Sequence, residues 1–126
     1  MKDIENNSDI QLLVDEFYKK VNEDELLSPI FNEIAQVNWK DHLPKMYKFW
    51  SKLLLGENEY QGSPFDKHIQ LPIGENHFNR WIQLFLETLD AHFAGSKATE
   101  ARLKAQSIAN IFNFKMKTIQ ASGYIR

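Results

Sequence analysis

The stretch SDIQLLVDEFYKKV, residues 8–21, decides the fold class. Its apolar residues fall at Ile10, Leu13, Val14, Phe17, Tyr18 and Val21, in steps of three and four. That spacing puts them on one stripe of a helix and leaves Asp15, Lys19 and Lys20 for solvent. Ser8, followed three positions later by Gln11, has the spacing of a capping box and predicts the helix start. The helix fades at Asn22-Glu23-Asp24-Glu25, where the stripe ends in charge.

Working outward, Ser28-Pro29 marks a turn and predicts a short helical stretch over 29–34. A second stripe runs Trp39, Leu43, Met46, Phe49, Trp50, Leu53 and Leu54, with Gly56 as its stop. Pro44 sits early in it, so the regular helix is expected to begin near Asp41 or to be irregular before Lys45. Residues 56–74 read as loop, broken by Gly62-Ser63-Pro64 and Pro72-Ile73-Gly74. A third stripe takes in Phe78, Trp81, Ile82, Phe85, Leu89 and Phe93, and a fourth Ala101, Ala105, Ile108, Ala109, Phe112, Met116 and Ile119. No segment alternates with period two between hairpin turns, so no sheet is expected. The reading is all-α: one domain over residues 1–126 with four long helices, a packed core at about 8–120 and frayed termini.

Composition narrows the function. With 15 Lys+Arg against 17 Asp+Glu, the formal charge is −2, which lacks the basic footprint of a nucleic-acid binder. The absence of cysteine removes disulfides, thiolate metal sites and a cysteine nucleophile. No apolar run suits a signal core or a membrane span, so a cytoplasmic protein is expected. What remains to be explained is the aromatic load of nine Phe, four Tyr and three Trp.

Catalytic motifs are missing: there is no P-loop, G-x-G-x-x-G, H-E-x-x-H or nucleophile elbow. His42, His68, His77 and His92 form no pair at helical ligand spacing. His68 sits on a short segment fenced by Pro64 and Pro72 and flanked by Phe65, Ile69 and Leu71. A lone histidine there is most commonly an exposed loop residue; the other reading is a single axial ligand to haem iron. Tyr18, His42 and Trp81 each carry an O–H or N–H that needs a partner when buried. Singly they suit ordinary core or boundary positions; together they could face a bound oxygen species. His77 and His92 read as surface residues.

Several short strings, taken in order, carry a resemblance. They are Phe17-Tyr18-x-x-Val21, Leu27-Ser28-Pro29-Ile30-Phe31, Trp39-Lys40-x-His42, Phe49-Trp50, Leu54-Leu55-Gly56, Tyr60-x-Gly62-x-Pro64, His68-x-x-Leu71-Pro72 and Arg80-Trp81-x-x-Leu84-Phe85. The set resembles the truncated haemoglobins of the third group over about residues 8–120. The resemblance implies a truncated globin fold, a two-over-two helical sandwich around haem b, with His68 as the proximal iron ligand. It implies a distal cluster of Tyr18, His42 and Trp81, Phe31 on the haem face, and Met46, Phe49, Trp50 and Leu71 as cavity lining. Lys45, Lys67 and Arg80, close in sequence to these residues, are candidate cations for the haem propionates. The implied ligands are O2, NO or other small molecules, bound by a monomer or weak homodimer. Three distal donors would retain O2 rather than deliver it, which favours redox chemistry such as nitric oxide or peroxide detoxification with an external electron donor. The alternatives are a haem-based gas sensor or store, and a haem-free helical interaction module.

Overall fold

Helix α1 (Asn7–Glu23) starts on Asn6, whose side chain accepts from the Asp9 N–H at 3.1 Å, two residues ahead of the Ser8 cap expected from sequence. The earlier start wins because Asp9 completes a second set of bonds, accepting from the Glu5 N–H at 2.8 Å and from Lys2 Nζ at 2.7 Å. The computed structural model describes residues 1–57 and 72–121, with side chains to 119. Within that range a π-helical turn (Ile30–Ile34) is followed by α2 (Trp39–Leu55), α3 (Glu75–His92) and α4 (Ser96–Ala121), and there is no strand among the described residues.

The π turn falls where the Ser28-Pro29 signal predicts helix. Asp24, the C-cap of α1, introduces it by accepting from the Leu26 and Leu27 N–H groups at 3.1 and 3.0 Å. Helix α2 begins at Trp39, capped by Asn38, so it runs through Pro44 instead of starting near Asp41. Proline lacks the N–H that would bond to the carbonyl four residues back. Here both Pro44 and Lys40 are exposed, so that carbonyl is on a solvated face and the helix continues. Gly56 ends α2 in the left-handed region at φ 75°.

The amino-terminal residues are part of the packing. Asp3 caps α4 from the opposite end of the sequence, its carboxylate accepting from the Lys97 N–H at 2.9 Å and the Ala98 N–H at 2.8 Å. Ile4 is 2% exposed in the core, so the packed region starts ahead of residue 8. Gly95, at φ 139°, allows this approach: a Cβ there would meet the Asp3 Cγ at 2.5 Å.

Helix α1 packs on α2 and α3, and α3 on α4, giving two helix pairs that share one core. That core holds Ile10, Leu13, Val14, Phe17 and Val21 of α1, Trp50 and Leu54 of α2, Phe85 and Leu89 of α3, and Ala101 and Ala105 of α4. The small alanines let α4 lie close against its neighbours. A second apolar cluster, Ile30, Ile73, Phe78 and Met116, adjoins the first, and Phe31 packs against both. No helix among the described residues is long and apolar enough to cross a membrane.

Candidate functional site

Tyr18 follows Phe17 on α1, about 100° further round the helix, which turns it from the centre of the core to its edge against α2. It is 6% exposed. Burial pushes its phenol well above the ordinary tyrosine value, so the group stays protonated and remains a donor at any physiological pH. His42 meets it edge-on from α2, with ring centroids 5.5 Å apart at 81°.

Trp39 completes the arrangement one helical turn before His42. Its ring lies 5.2 Å from Tyr18 and 5.4 Å from His42, and it stacks on Phe31 at 5.7 Å and 23°. Phe31 in turn contacts Tyr18 at 6.0 Å. Four rings from α1, the π turn and α2 thus form one cluster. The indole N–H of Trp39 donates to Asn32 Oδ1 at 2.8 Å, and Asn32 donates to Asn22 Oδ1 at 2.8 Å and to the Ser28 carbonyl at 3.1 Å. Asparagines outside the cluster therefore fix the orientation of Trp39. The i,i+3 spacing puts Trp39 and His42 on one side of α2, a signal that could have found Trp39 in the sequence.

Trp81 stands one ring away. It meets Phe17 edge-on at 5.5 Å, and Phe17 touches Tyr18 at 4.8 Å, so Phe17 joins Trp81 to the Tyr18 side. Phe85 lies between two indoles, stacked on Trp81 at 5.9 Å and 15° and on Trp50 at 4.9 Å and 19°. Trp50 is accordingly a buried core residue, while Met46 and Phe49 are half-buried beside it. Offset stacks of this kind add stability beyond their buried area and hold the wall rigid.

Of the candidate propionate cations, Lys45 is exposed. Arg80 is committed through Nε to Asp24 Oδ1 at 2.6 Å, where it ties α3 to the end of α1. Lys67, His68, Leu71 and Phe65 lie outside the described residues. Among the described residues, no group of three or more His, Asp or Glu is placed to hold a metal ion. His77, read from sequence as a surface residue, is half-buried, and its Nδ1 accepts from the Gly74 N–H at 3.0 Å at the start of α3. Sequence reasoning missed this capping role, although His77 sits three residues after Gly74, the spacing of a capping box.

The described side chains suit a flat, largely apolar prosthetic group with a polar ligand on one face. Aromatic walls meet a second apolar cluster at Phe31, and a buried phenol and an imidazole stand together on one side.

Comparison with known proteins gives this arrangement its family. The Bacterial-like globin family matches residues 3–117. The Group 3 truncated hemoglobin ctb of Campylobacter jejuni is 37% identical over 111 residues, covering 85% of this chain and 87% of the relative. The Group 1 truncated hemoglobin GlbN of Nostoc commune is 30% identical over 95 residues, covering 75% and 78%. The crystal structure of the group III truncated hemoglobin from Campylobacter jejuni superposes with a TM-score of 0.83 at 36% identity, covering 92% of this chain and 95% of that one. The all-helical architecture, the helix pairing and these matches agree, and the chain belongs to the truncated haemoglobins of the third group.

Proposed function

We propose that the protein holds haem b with His68 as its axial ligand and binds O2 and other diatomic ligands, NO among them, beside Tyr18, His42 and Trp81. Globins are haem proteins that bind small gaseous ligands, and the chain's membership of that family is the background to this reading. The observation that carries it is the contact between the buried Tyr18 phenol and the His42 imidazole on facing helices.

When bound, haem supplies an iron coordination site for the ligand. Around it the chain's own residues have distinct tasks. Tyr18, held protonated by burial, donates an O–H to a ligand oxygen that carries partial negative charge. His42 and Trp81 offer further N–H donors. The stack of Trp50, Phe85 and Trp81 supplies an apolar wall, and low-dielectric surroundings strengthen such bonds. A hydrogen bond to a charged acceptor contributes about 1.5–3 kcal/mol, so two or three of them slow ligand release by orders of magnitude. Slow release argues against oxygen delivery and for redox turnover, such as nitric oxide or peroxide detoxification, with electrons from an external donor.

Reconstitution with hemin tests the first step. A sharp Soret band is expected for the parent protein, and its loss or shift in His68→Ala; an unchanged spectrum in that variant would move the axial ligand elsewhere. Rapid consumption of nitric oxide by the oxygenated protein, sustained with a reductant, then separates an enzyme from a store.

A further inference from the structure

Tyr18 and Tyr47 line one surface cleft of about 310 Å³, with Asp15, Trp39 and Leu43 beside them, yet their phenols have different surroundings. Tyr18 is buried, and among the described residues no carboxylate is bonded to it; burial alone raises its pKa. Tyr47 is half-buried, and its hydroxyl donates to the Asp15 carboxylate across the two helices. Asp15 stands three residues before Tyr18 on α1, so this bond holds the Tyr47 phenol about one helical turn from the ring cluster.

That difference decides where an oxidising equivalent comes to rest. Tyrosine and tryptophan give up one electron readily, but an oxidised phenol is a strong acid and persists as a radical only once its proton has left. The proton acceptor must already be within hydrogen-bond reach. Asp15 meets that condition for Tyr47. Trp39 lies 5.2 Å from Tyr18 with its N–H directed to Asn32, an amide and not a base, so it passes an electron on without holding the radical. Burial and then the Asp15 carboxylate push the Tyr47 phenol up to about 12, so before oxidation its proton is in place at neutral pH. Electron transfer through packed rings needs no opening between the cleft and the interior.

We propose that Tyr47, with Asp15 as its proton acceptor, is a surface oxidation site at which a small neutral phenol in the cleft gives up one electron, passed inward through the rings of Trp39 and Tyr18. The proposal rests on the peroxide branch of the haem reading above, with hydrogen peroxide as the oxidant. Tyr47 loses one electron inward; its O–H bond breaks and an O–H bond forms on Asp15. The bound phenol then gives a hydrogen atom to the Tyr47 oxygen and leaves as a phenoxyl radical, while Asp15 releases its proton to solvent. Two such turns supply the two electrons and two protons that convert one hydrogen peroxide into two waters. Leu43 with the indole and phenol rings makes a lining that suits a neutral aromatic ring and not an ion.

Two measurements test it. In the full-length chain without haem, azide radicals from pulse radiolysis at neutral pH oxidise tryptophan first. The tryptophan radical is expected to decay into a tyrosyl radical, and Tyr47→Phe to abolish that conversion. Asp15→Asn keeps the shape, removes the base and is expected to slow it roughly tenfold. In the hemin-reconstituted protein, hydrogen peroxide is expected to give a tyrosyl signal by freeze-quench electron paramagnetic resonance and to drive oxidation of guaiacol. Tyr47→Phe should lose that signal and oxidise guaiacol roughly tenfold more slowly, with its Soret band unchanged. A tyrosyl yield unchanged by Tyr47→Phe under radiolysis, or guaiacol oxidation unchanged under peroxide, would overturn the site. Failure of the parent protein to give a Soret band would overturn the haem reading instead, and the radiolysis would still decide whether Tyr47 and Asp15 form the oxidisable pair.

Discussion

Arg80 Nε donates to Asp24 Oδ1 at 2.6 Å, and this ion pair joins the first turns of α3 to the residue that ends α1. The carboxylate side chain is 5% exposed and also accepts two backbone N–H groups from Leu26 and Leu27. It therefore sets both the exit of α1 and the distance to α3, the two helices that carry Tyr18 and Trp81. Burial pushes the Asp24 carboxyl up, but the Arg80 guanidinium and the backbone donors outweigh it and hold the group below its ordinary value.

Arg80→Met should consequently cost stability rather than haem affinity. The buried carboxylate keeps its backbone donors but loses its charged partner, a loss of about 1–3 kcal/mol. Urea unfolding at neutral pH measures it. Because a carboxyl with a lowered folded pKa stabilises above its unfolded value and loses that contribution as pH falls through the folded one, the difference between parent and variant should shrink in acid. A hemin titration unchanged by Arg80→Met would fix Arg80 as a brace, whereas a weakened one would return it to the propionates.

The amino terminus gives a second prediction. Asp3 accepts from the Lys97, Ala98 and Ile4 N–H groups, and these donors hold its carboxyl low against the upward push of burial. Asp3→Ala removes an N-cap and should cost about 1–2 kcal/mol. Gly95→Ala should be destabilising as well, because φ 139° disfavours any Cβ and the Asp3 side chain occupies its space. Thermal unfolding of the two single variants and the double variant tests the shared mechanism. If they act on one cap, their effects will be less than additive.

The fold was legible because apolar spacing is a strong signal over long helices, and all four stripes fall on helices in the structure. Helix ends were less legible. Ser8 and Asn6 are chemically equivalent caps, and the choice between them depends on Lys2 and Glu5 around Asp9, contacts that no local rule weighs. Asp3 as the cap of α4 could not be read at all, since its partners lie more than ninety residues away. In the candidate site, Tyr18 and His42 drew notice as polar rings that need a partner when buried, and the fold brings the two rings together. Trp39 was passed over as core, and its role depends on the π turn that brings Phe31 and Asn32 against it. Arg80, a cation beside a pocket residue in sequence, reaches a carboxylate that only the fold supplies.

His77 supplies a pH prediction. Its Nδ1 must be unprotonated to accept from the Gly74 N–H, and burial lowers its pKa below the ordinary 6.5. A histidine with a lowered folded pKa contributes stability that is complete above its unfolded value and lost as pH falls through the folded one. Protonation would also place a cation at a helix N-terminus, where the helix dipole disfavours it. His77→Gln retains an acceptor without a titration in this range, so the parent should lose stability faster than the variant between pH 7 and about pH 5. Parallel unfolding curves over that interval would show that the bond contributes nothing.

Tyr18 and Trp39 provide the sharpest test of the distal assignment, because both rings touch His42 and both carry a donor. Their donors differ in availability. The Trp39 N–H is directed to Asn32 at 2.8 Å, outside the cluster, whereas the Tyr18 phenol is buried among the rings themselves. Tyr18→Phe should therefore raise the O2 dissociation rate by at least tenfold, the loss of one charge-assisted bond of about 1.5 kcal/mol or more. Trp39→Phe preserves an aromatic wall and removes only a bond on an exposed edge, so its effect on dissociation should be small. If the two variants released O2 equally fast, the ligand would be sensing the packing of the cluster and not a hydrogen bond from Tyr18. A large effect in Tyr18→Phe alone assigns the retention of O2 to that one hydroxyl.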